Sequence, residues 1–309
     1  MTFEHRPVMV DEVTEALAPA AGHVVIDATV GGGGHSHALL SGATPPRAVV
    51  GLDRDPAAVE AARQRLAPFG AAARVELSPY RDLLRTLGPE ERDDVGGVLF
   101  DLGVSSHQLD TAERGFSFRN DGPLDMRMDP SQELTAGHVV NEWAERDLAR
   151  AIRRFGEERF ADRIAASIVA ARPFSSTAQL ADVVRDAIPA PARRHGGHPA
   201  RRTFQAIRIV VNAELDDLEQ ALRDAASLLR PGGALVVLSY HSLEDGITKD
   251  VMRSLSEPFS PPGLPVEPAA PAYRRQGKVR RPLPSEVAEN PRAEAARMRV
   301  LERVAVTAA

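Results

Sequence analysis

In Asp27-Ala28-Thr29-Val30-Gly31-Gly32-Gly33-Gly34-His35 a carboxylate precedes a run of glycines and a helix that begins near Ser36. Glycines let backbone approach a bound molecule closely, and a helix start offers N–H groups that no turn has used. Asp53 ends the next apolar run, where a carboxylate can accept hydrogen bonds from both hydroxyls of a ribose. Asp101 ends a later one, in Asp101-Leu102-Gly103-Val104-Ser105-Ser106, and Gln108 is near enough in sequence to share its surroundings. Asp101 can touch a ligand or cap the turn that follows it. Tyr80 can lie against a flat heterocycle. His241 can face a substrate or serve as a satisfied structural histidine.

These residues act together only if the elements carrying them end at one edge. Val24–Thr29, Ala48–Asp53, Arg74–Leu77 and Gly97–Asp101 read as short buried strands, with Pro56–Leu66 a helix among them. Leu228-Leu229-Arg230-Pro231-Gly232-Gly233 ends a helix, and Ala234–Leu238 reads as a fifth strand. Strands alternating with helices predict an α/β, doubly wound, Rossmann-like sheet whose ligands sit beyond the carboxyl ends of the strands. The stretch between Asp101 and Ala234 is far longer than one crossover needs. Apolar residues recur at helical spacing in Glu145–Phe155, Glu157–Ala171 and Thr177–Ile188. A mainly helical subdomain over 112–199, inserted into a sheet domain of 1–111 and 200–309, is the expectation. Glu214–Leu229 then returns as a sheet-flanking helix and Arg299–Val306 as a final strand. Ser256–Pro284, rich in proline, reads as an extended surface segment.

The glycines decide between nucleoside cofactors. A nicotinamide dinucleotide calls for G-x-G-x-x-G; here the glycines are contiguous and Ser36 stands where the last small residue should be. S-adenosylmethionine (SAM) has no phosphate to cradle and suits the pattern better. The chain has no cysteine, which removes disulfides, thiolate metal sites and a thiolate nucleophile. Methylation at carbon 5 of a pyrimidine normally needs such a thiolate, so a pyrimidine-directed enzyme of this composition should act through a nitrogen or oxygen lone pair. His195 and His198 are interrupted by Gly196 and Gly197 and have no nearby third ligand, so a metal site is not expected.

Net charge is −5, from 38 basic and 43 acidic residues. The basic residues are nonetheless clustered. Arg193–Arg208 holds Arg193, Arg194, Arg201, Arg202 and Arg208 without an acid, and Tyr273–Arg281 is similar. Such patches, rather than the total, make phosphate footprints, and Arg201, Arg202 and Arg208 are the preferred RNA contacts. No run of about 18 apolar residues and no leader-like N-terminus is seen, which makes a cytoplasmic location the expectation.

Several longer motifs stand out, of which 123–128 and 241–245 are the most specific: Asp53-Arg54-Asp55-Pro56, Arg114-Gly115-Phe116-Ser117-Phe118, Gly122-Pro123-Leu124-Asp125-Met126-Arg127-Met128, His198-Pro199-Ala200-Arg201-Arg202-Thr203-Phe204-Gln205-Ala206, Tyr240-His241-Ser242-Leu243-Glu244-Asp245 and Glu289-Asn290-Pro291-Arg292. Together with His5-Arg6-Pro7-Val8-Met9, they make the chain resemble, over nearly its whole length, the MraW family of bacterial small-subunit (16S) ribosomal RNA cytosine-N4 methyltransferases. The resemblance implies methylation of the exocyclic amine of a decoding-centre cytidine, with 16S rRNA or the small subunit as partner and a homodimer as a common state. It implies SAM contacts at Gly33, Gly34, His35, Asp53, Tyr80, Asp101 and Gln108. Asp101 and His241 are the candidates to orient the base, while Asp125, Arg127 and Asp129 either bind substrate or brace a packed turn. Gly246, Asp250 and Glu294 stand where relatives commonly carry basic residues, which predicts weaker RNA binding than is typical. Three other readings are a DNA amino-methyltransferase, which would carry Asp/Asn-Pro-Pro-Tyr/Phe at the fourth strand, a silent SAM-binding RNA scaffold, and an oxidoreductase.

Overall fold

The computed structural model describes residues 7–194, 197–258 and 270–304. The chain divides into two compact units, one of residues 1–103 and 216–309, the other Val104–Leu215.

The first unit is built on a seven-stranded sheet. Its strands are β1 (Val24–Asp27), β2 (Ala48–Asp53), β3 (Ala73–Leu77), β4 (Val95–Asp101), β5 (Leu229–Ser239), β6 (Tyr273–Arg275) and β7 (Arg297–Arg303), in the order β3-β2-β1-β4-β5-β7-β6. β1 to β5 pair in parallel, and β7 runs antiparallel to both β5 and β6. β1 is buried along its whole length, as a central parallel strand covered on both faces must be, hence its unbroken Val-Val-Ile. At Gly97 on β4 a Cβ would come within 2.6 Å of Leu17, so a glycine there lets the helix Val10–Leu17 lie close against the sheet. The strand order reverses at β1 and β4, which places the ligand crevice of such a sheet at their carboxyl ends.

The expected strands are present with adjusted ends. β5 starts earlier than expected, at Leu229, and runs through Pro231-Gly232-Gly233; its ladder with β4 slips between Val95 and Gly97, and Gly232 adopts φ 83° at the irregularity. The final strand begins two residues sooner than Arg299. The expected extended segment Ser256–Pro284 lies partly outside the described residues, as do His5, Arg6 and His195; its described part contains β6.

The second unit is helical, with its longer helices at Glu145–Gly156, Ala161–Ala171, Thr177–Ala187 and Arg201–Asn212. Leu148, Ile152, Ile164, Ile168, Leu180, Val184, Phe204 and Ile207 fill its core. The insertion is therefore wider than the expected 112–199. The cause is Arg201–Asn212, whose apolar face (Phe204, Ala206, Ile207, Val211) belongs to this core. Gly156 meets that helix so closely that a Cβ would stand 2.6 Å from the Arg202 carbonyl oxygen.

Candidate active site

Asp53 sits at the end of β2 with its carboxylate gripped by backbone. Oδ2 accepts from Gly31 N at 2.9 Å and Oδ1 from Asp55 N at 2.9 Å. Burial pushes this carboxyl up to about 6, against the pull of those two N–H groups. Each oxygen has a further lone pair, so the group retains acceptor capacity. Ser78 N donates to Asp53 O at 2.9 Å, which starts the turn that carries Tyr80. The Tyr80 ring is buried, edge-on to Phe100 at 5.8 Å between centroids, with the Arg54 guanidinium 5.8 Å over it.

The glycine run turns β1 into the helix Gly34–Ser41. Gly33 is its N-cap, with φ 76° in the left-handed region. A Cβ at Gly34 would come within 2.6 Å of Pro7, so its small size serves protein packing. Asp27, at the end of β1, is fully buried and receives the Ser36 hydroxyl at 2.6 Å. Burial pushes its carboxyl above the ordinary range, outweighing that hydrogen bond.

Asp101 ends β4 and is held from three sides. Its N–H donates to Thr29 Oγ1 at 2.6 Å, its Oδ1 accepts from the Tyr240 hydroxyl at 2.7 Å, and Oδ2 lies 3.5 Å from His35 Nδ1. His35 Nε2 in turn lies 2.9 Å from the Val8 carbonyl oxygen, so the buried imidazole ties the N-terminal segment to Asp101. Burial, and then the charge of Asp101, pushes the Tyr240 hydroxyl well above its ordinary value, keeping it a donor. Tyr240 is the residue that sequence reasoning missed. No local pattern announces it: β4 and β5 pair in parallel with Asp101 opposite Leu238, and that register brings the residue two places on to the same edge.

His241 is an N-cap. Its Nδ1 accepts from Glu244 N at 3.4 Å at the start of the helix Ser242–Ser256, while Glu244 Oε2 accepts from Tyr240 N at 2.9 Å and His241 N at 3.3 Å. His241 Nε2 lies 3.0 Å from Glu244 Oε1 but is poorly aligned for a hydrogen bond. The buried ring favours the structural of the two roles open to it. Asp245 completes this motif by pairing with Arg299 at 2.7 Å and Arg297 at 3.2 Å on β7.

The remaining candidates lie in the second unit. Gln108 closes a capping box with Ser105, its Oε1 accepting from Ser105 N at 2.9 Å. Asp125 and Arg127 pair at 2.7 Å, and Asn212 clamps their turn by donating to Met126 O and accepting from Met128 N, both at 2.8 Å. This is the packed-turn reading of that motif. Arg201 is exposed, and Arg202 donates to Glu157 O at 3.2 Å. Arg208 departs from expectation. It forms a part-buried fork with Glu214, both bonds 2.8 Å, a pairing that would have to open before the guanidinium could meet a phosphate.

The family model described as the MraW methylase family matches residues 2–304. The chain belongs to that family. Among its relatives, the ribosomal RNA small subunit methyltransferase H of Thermobifida fusca is 53% identical over 97% of this chain and 93% of its own length. The proteins of the same name from Geobacter sulfurreducens and Mycobacterium sp. (strain KMS) are 49% and 48% identical, over 98% and 99% of this chain and 100% and 85% of theirs. The cofactor of this methylase fold is S-adenosylmethionine, and the edge fits it. A desolvated carboxylate with spare acceptor capacity ends β2, a buried aromatic follows β3, and a left-handed glycine opens the helix Gly34–Ser41.

Proposed function

We propose that this chain methylates the exocyclic N4 amine of a cytidine in the decoding centre of 16S rRNA, with the cytoplasmic small ribosomal subunit as its substrate. The observation that carries the reading is Asp101 at the switch of strand order, its backbone held by Thr29 and its partly exposed carboxylate by Tyr240 and His35. End-to-end membership of the methylase family supports it.

In the roles we propose, Asp53 accepts the ribose hydroxyls of SAM, Tyr80 flanks its base, and Gly33 and Gly34 border its tail. The bound cofactor supplies an electrophilic methyl group. A cytosine amine is a poor nucleophile because its lone pair is shared with the ring; as the N–C bond forms, the bond between the methyl carbon and the sulfonium sulfur would break to leave a neutral thioether, and the amine proton would pass to Asp101 or to water. Asp101 accepts an N–H from that amine, which orients the lone pair and favours the developing positive charge. The Tyr240 hydroxyl fixes Oδ1 so that the carboxylate cannot rotate out of line. The absence of cysteine agrees with attack by nitrogen. Arg201 and Arg202 contact phosphate, and the target base leaves its stack to be reached.

The test is methyl transfer from labelled SAM to small subunits lacking the modification, with the product nucleoside identified by mass spectrometry. N4-methylcytidine is the expected product. A different methylated nucleoside, or no transfer despite SAM binding, would overturn the assignment.

A further inference from the structure

The second unit contains a groove that the methyl-transfer reading does not use. It lies between the helices Glu145–Gly156 and Arg201–Asn212, with a volume of about 390 Å3. Ala151 and Val210 form its floor, Trp143 and Phe155 supply aromatic walls, and Arg150 and Arg154 stand on its rim. A cavity of this size falls in the range of small-ligand sites, about 300–1,000 Å3. Trp143 is firmly seated: Arg172 donates to its carbonyl oxygen at 2.7 Å and to that of Val140 at 2.6 Å.

We propose that this groove binds an unpaired nucleotide of the RNA substrate, stacking the base on Trp143 and Phe155 and meeting its phosphate with Arg150 and Arg154. The inference rests on the RNA-methylating reading above. Three features favour a nucleotide over an apolar peptide. The walls are partly exposed aromatic rings, on which any base can stack. Arg154 is an exposed side chain whose guanidinium rests over the Phe155 ring, 4.9 Å from its centroid, a face that already holds a cation and that a base can take over as the arginine swings out to its phosphate. The rim is also short of negative charge. Asp147 is the acid beside the groove, and it is shared between Arg150 at 3.4 Å and Arg146 at 3.6 Å. Arg146, Arg150 and Arg154 outnumber that one carboxylate, so an apolar peptide would leave an excess of positive charge unmatched, whereas a phosphate matches it.

Trp143 is the only tryptophan in the chain, so its fluorescence reports on this groove alone. A single-stranded oligoribonucleotide should quench it at micromolar concentration, and heparin, a polyanion without bases, should not. In the second arm, Arg150→Glu together with Arg154→Glu replaces two exposed side chains. The pair should raise KM for small subunits about tenfold, leave kcat and SAM affinity unchanged, and cut the salt slope of RNA binding by about 1.4. Equal quenching by heparin, or an unchanged KM and slope in a doubly substituted protein whose wild type is active, overturns the groove while leaving the proposed function standing. A wild type that methylates no subunit fails the proposed function, and the oligonucleotide quench then judges the groove by itself. Loss of self-association in the double variant, seen by sedimentation, would make the groove a contact between copies and overturn the nucleotide assignment.

Discussion

Lowering the pH from 7 to 5 should weaken SAM binding about tenfold through Asp53 alone. The carboxyl titrates at about 6 in the free protein because burial disfavours its charge. Ribose hydroxyls donate to it, so the ionised form is the binding form. The apparent Kd then scales as 1 + 10^(pKa − pH), which is about 1.1 at pH 7, 2 at pH 6 and 11 at pH 5, or about 1.4 kcal/mol across the window. Stability has the opposite sign. Between the ordinary value of 3.8 and about 6 the folded chain keeps a proton that the unfolded chain releases, so this group makes the free protein less stable as pH rises through that window. The full shift would be worth about 3 kcal/mol, an upper bound because Asp53 is partly exposed. Calorimetric titration of SAM at pH 5, 6 and 7, beside thermal melts of the free protein, reads both. Asp53→Asn should bind more weakly at pH 7 and lose the pH dependence. A wild-type Kd that is flat from pH 7 to 5, or an Asn variant with the same slope as wild type, would refute the placement of the ribose on Asp53.

Asp101→Asn should abolish most turnover while SAM still binds in calorimetry; unchanged kcat would remove Asp101 from the chemistry. Tyr240→Phe deletes the donor to Asp101 Oδ1, and a hydrogen bond to a charged group is worth about 1.5–3 kcal/mol, so kcat should fall roughly ten- to a hundredfold with the SAM Kd intact. Asn212→Leu leaves Met126 O and Met128 N without their partners and should lower stability by about 2–4 kcal/mol, measured by urea unfolding. Asp245 is pushed up by burial but pulled further down by Arg299 and Arg297. The stability it contributes is present above about 3.8 and disappears as pH falls through its lowered value. Acid unfolding of Asp245→Asn should therefore show a shallower pH dependence below pH 4 than wild type.

The cofactor edge was legible because each strand that builds it is a short apolar run closed by a polar residue. Asp27, Asp53 and Asp101 mark the ends of β1, β2 and β4, and parallel pairing does the rest. The bond between Tyr240 and Asp101 was not legible, since it depends on the register of β5 against β4 rather than on any local pattern. The pairing of Arg208 was hidden for a conformational reason. Glu214 is six residues away, outside ordinary helical pairing, but Ala213 turns left-handed at φ 47° and folds the acid back over the helix. The insertion's far boundary was obscured in the same way, because the arginines of Arg201–Asn212 drew attention from its apolar face.

The insertion also governs how the sheet can form. β4 and β5 are central neighbours, yet the chain between Asp101 and Leu229 is roughly eight times an ordinary crossover. Closing such a loop as open coil costs about 2 kcal/mol more than closing a short one, at about 0.6 kcal/mol per doubling. Val104–Leu215 has its own core, in which Glu145–Gly156 packs on its neighbour Ala161–Ala171 and that helix on Thr177–Ala187, local contacts that form quickly and leave Arg201–Asn212 to dock on Glu145–Gly156. If the insertion collapses first, it shortens the effective tether before β5 has to find β4. Substitutions in its core, such as Leu148→Ala, should then slow the joining of the sheet in which they take no part, making the insertion a kinetic partner in the folding of the methylase domain that hosts it.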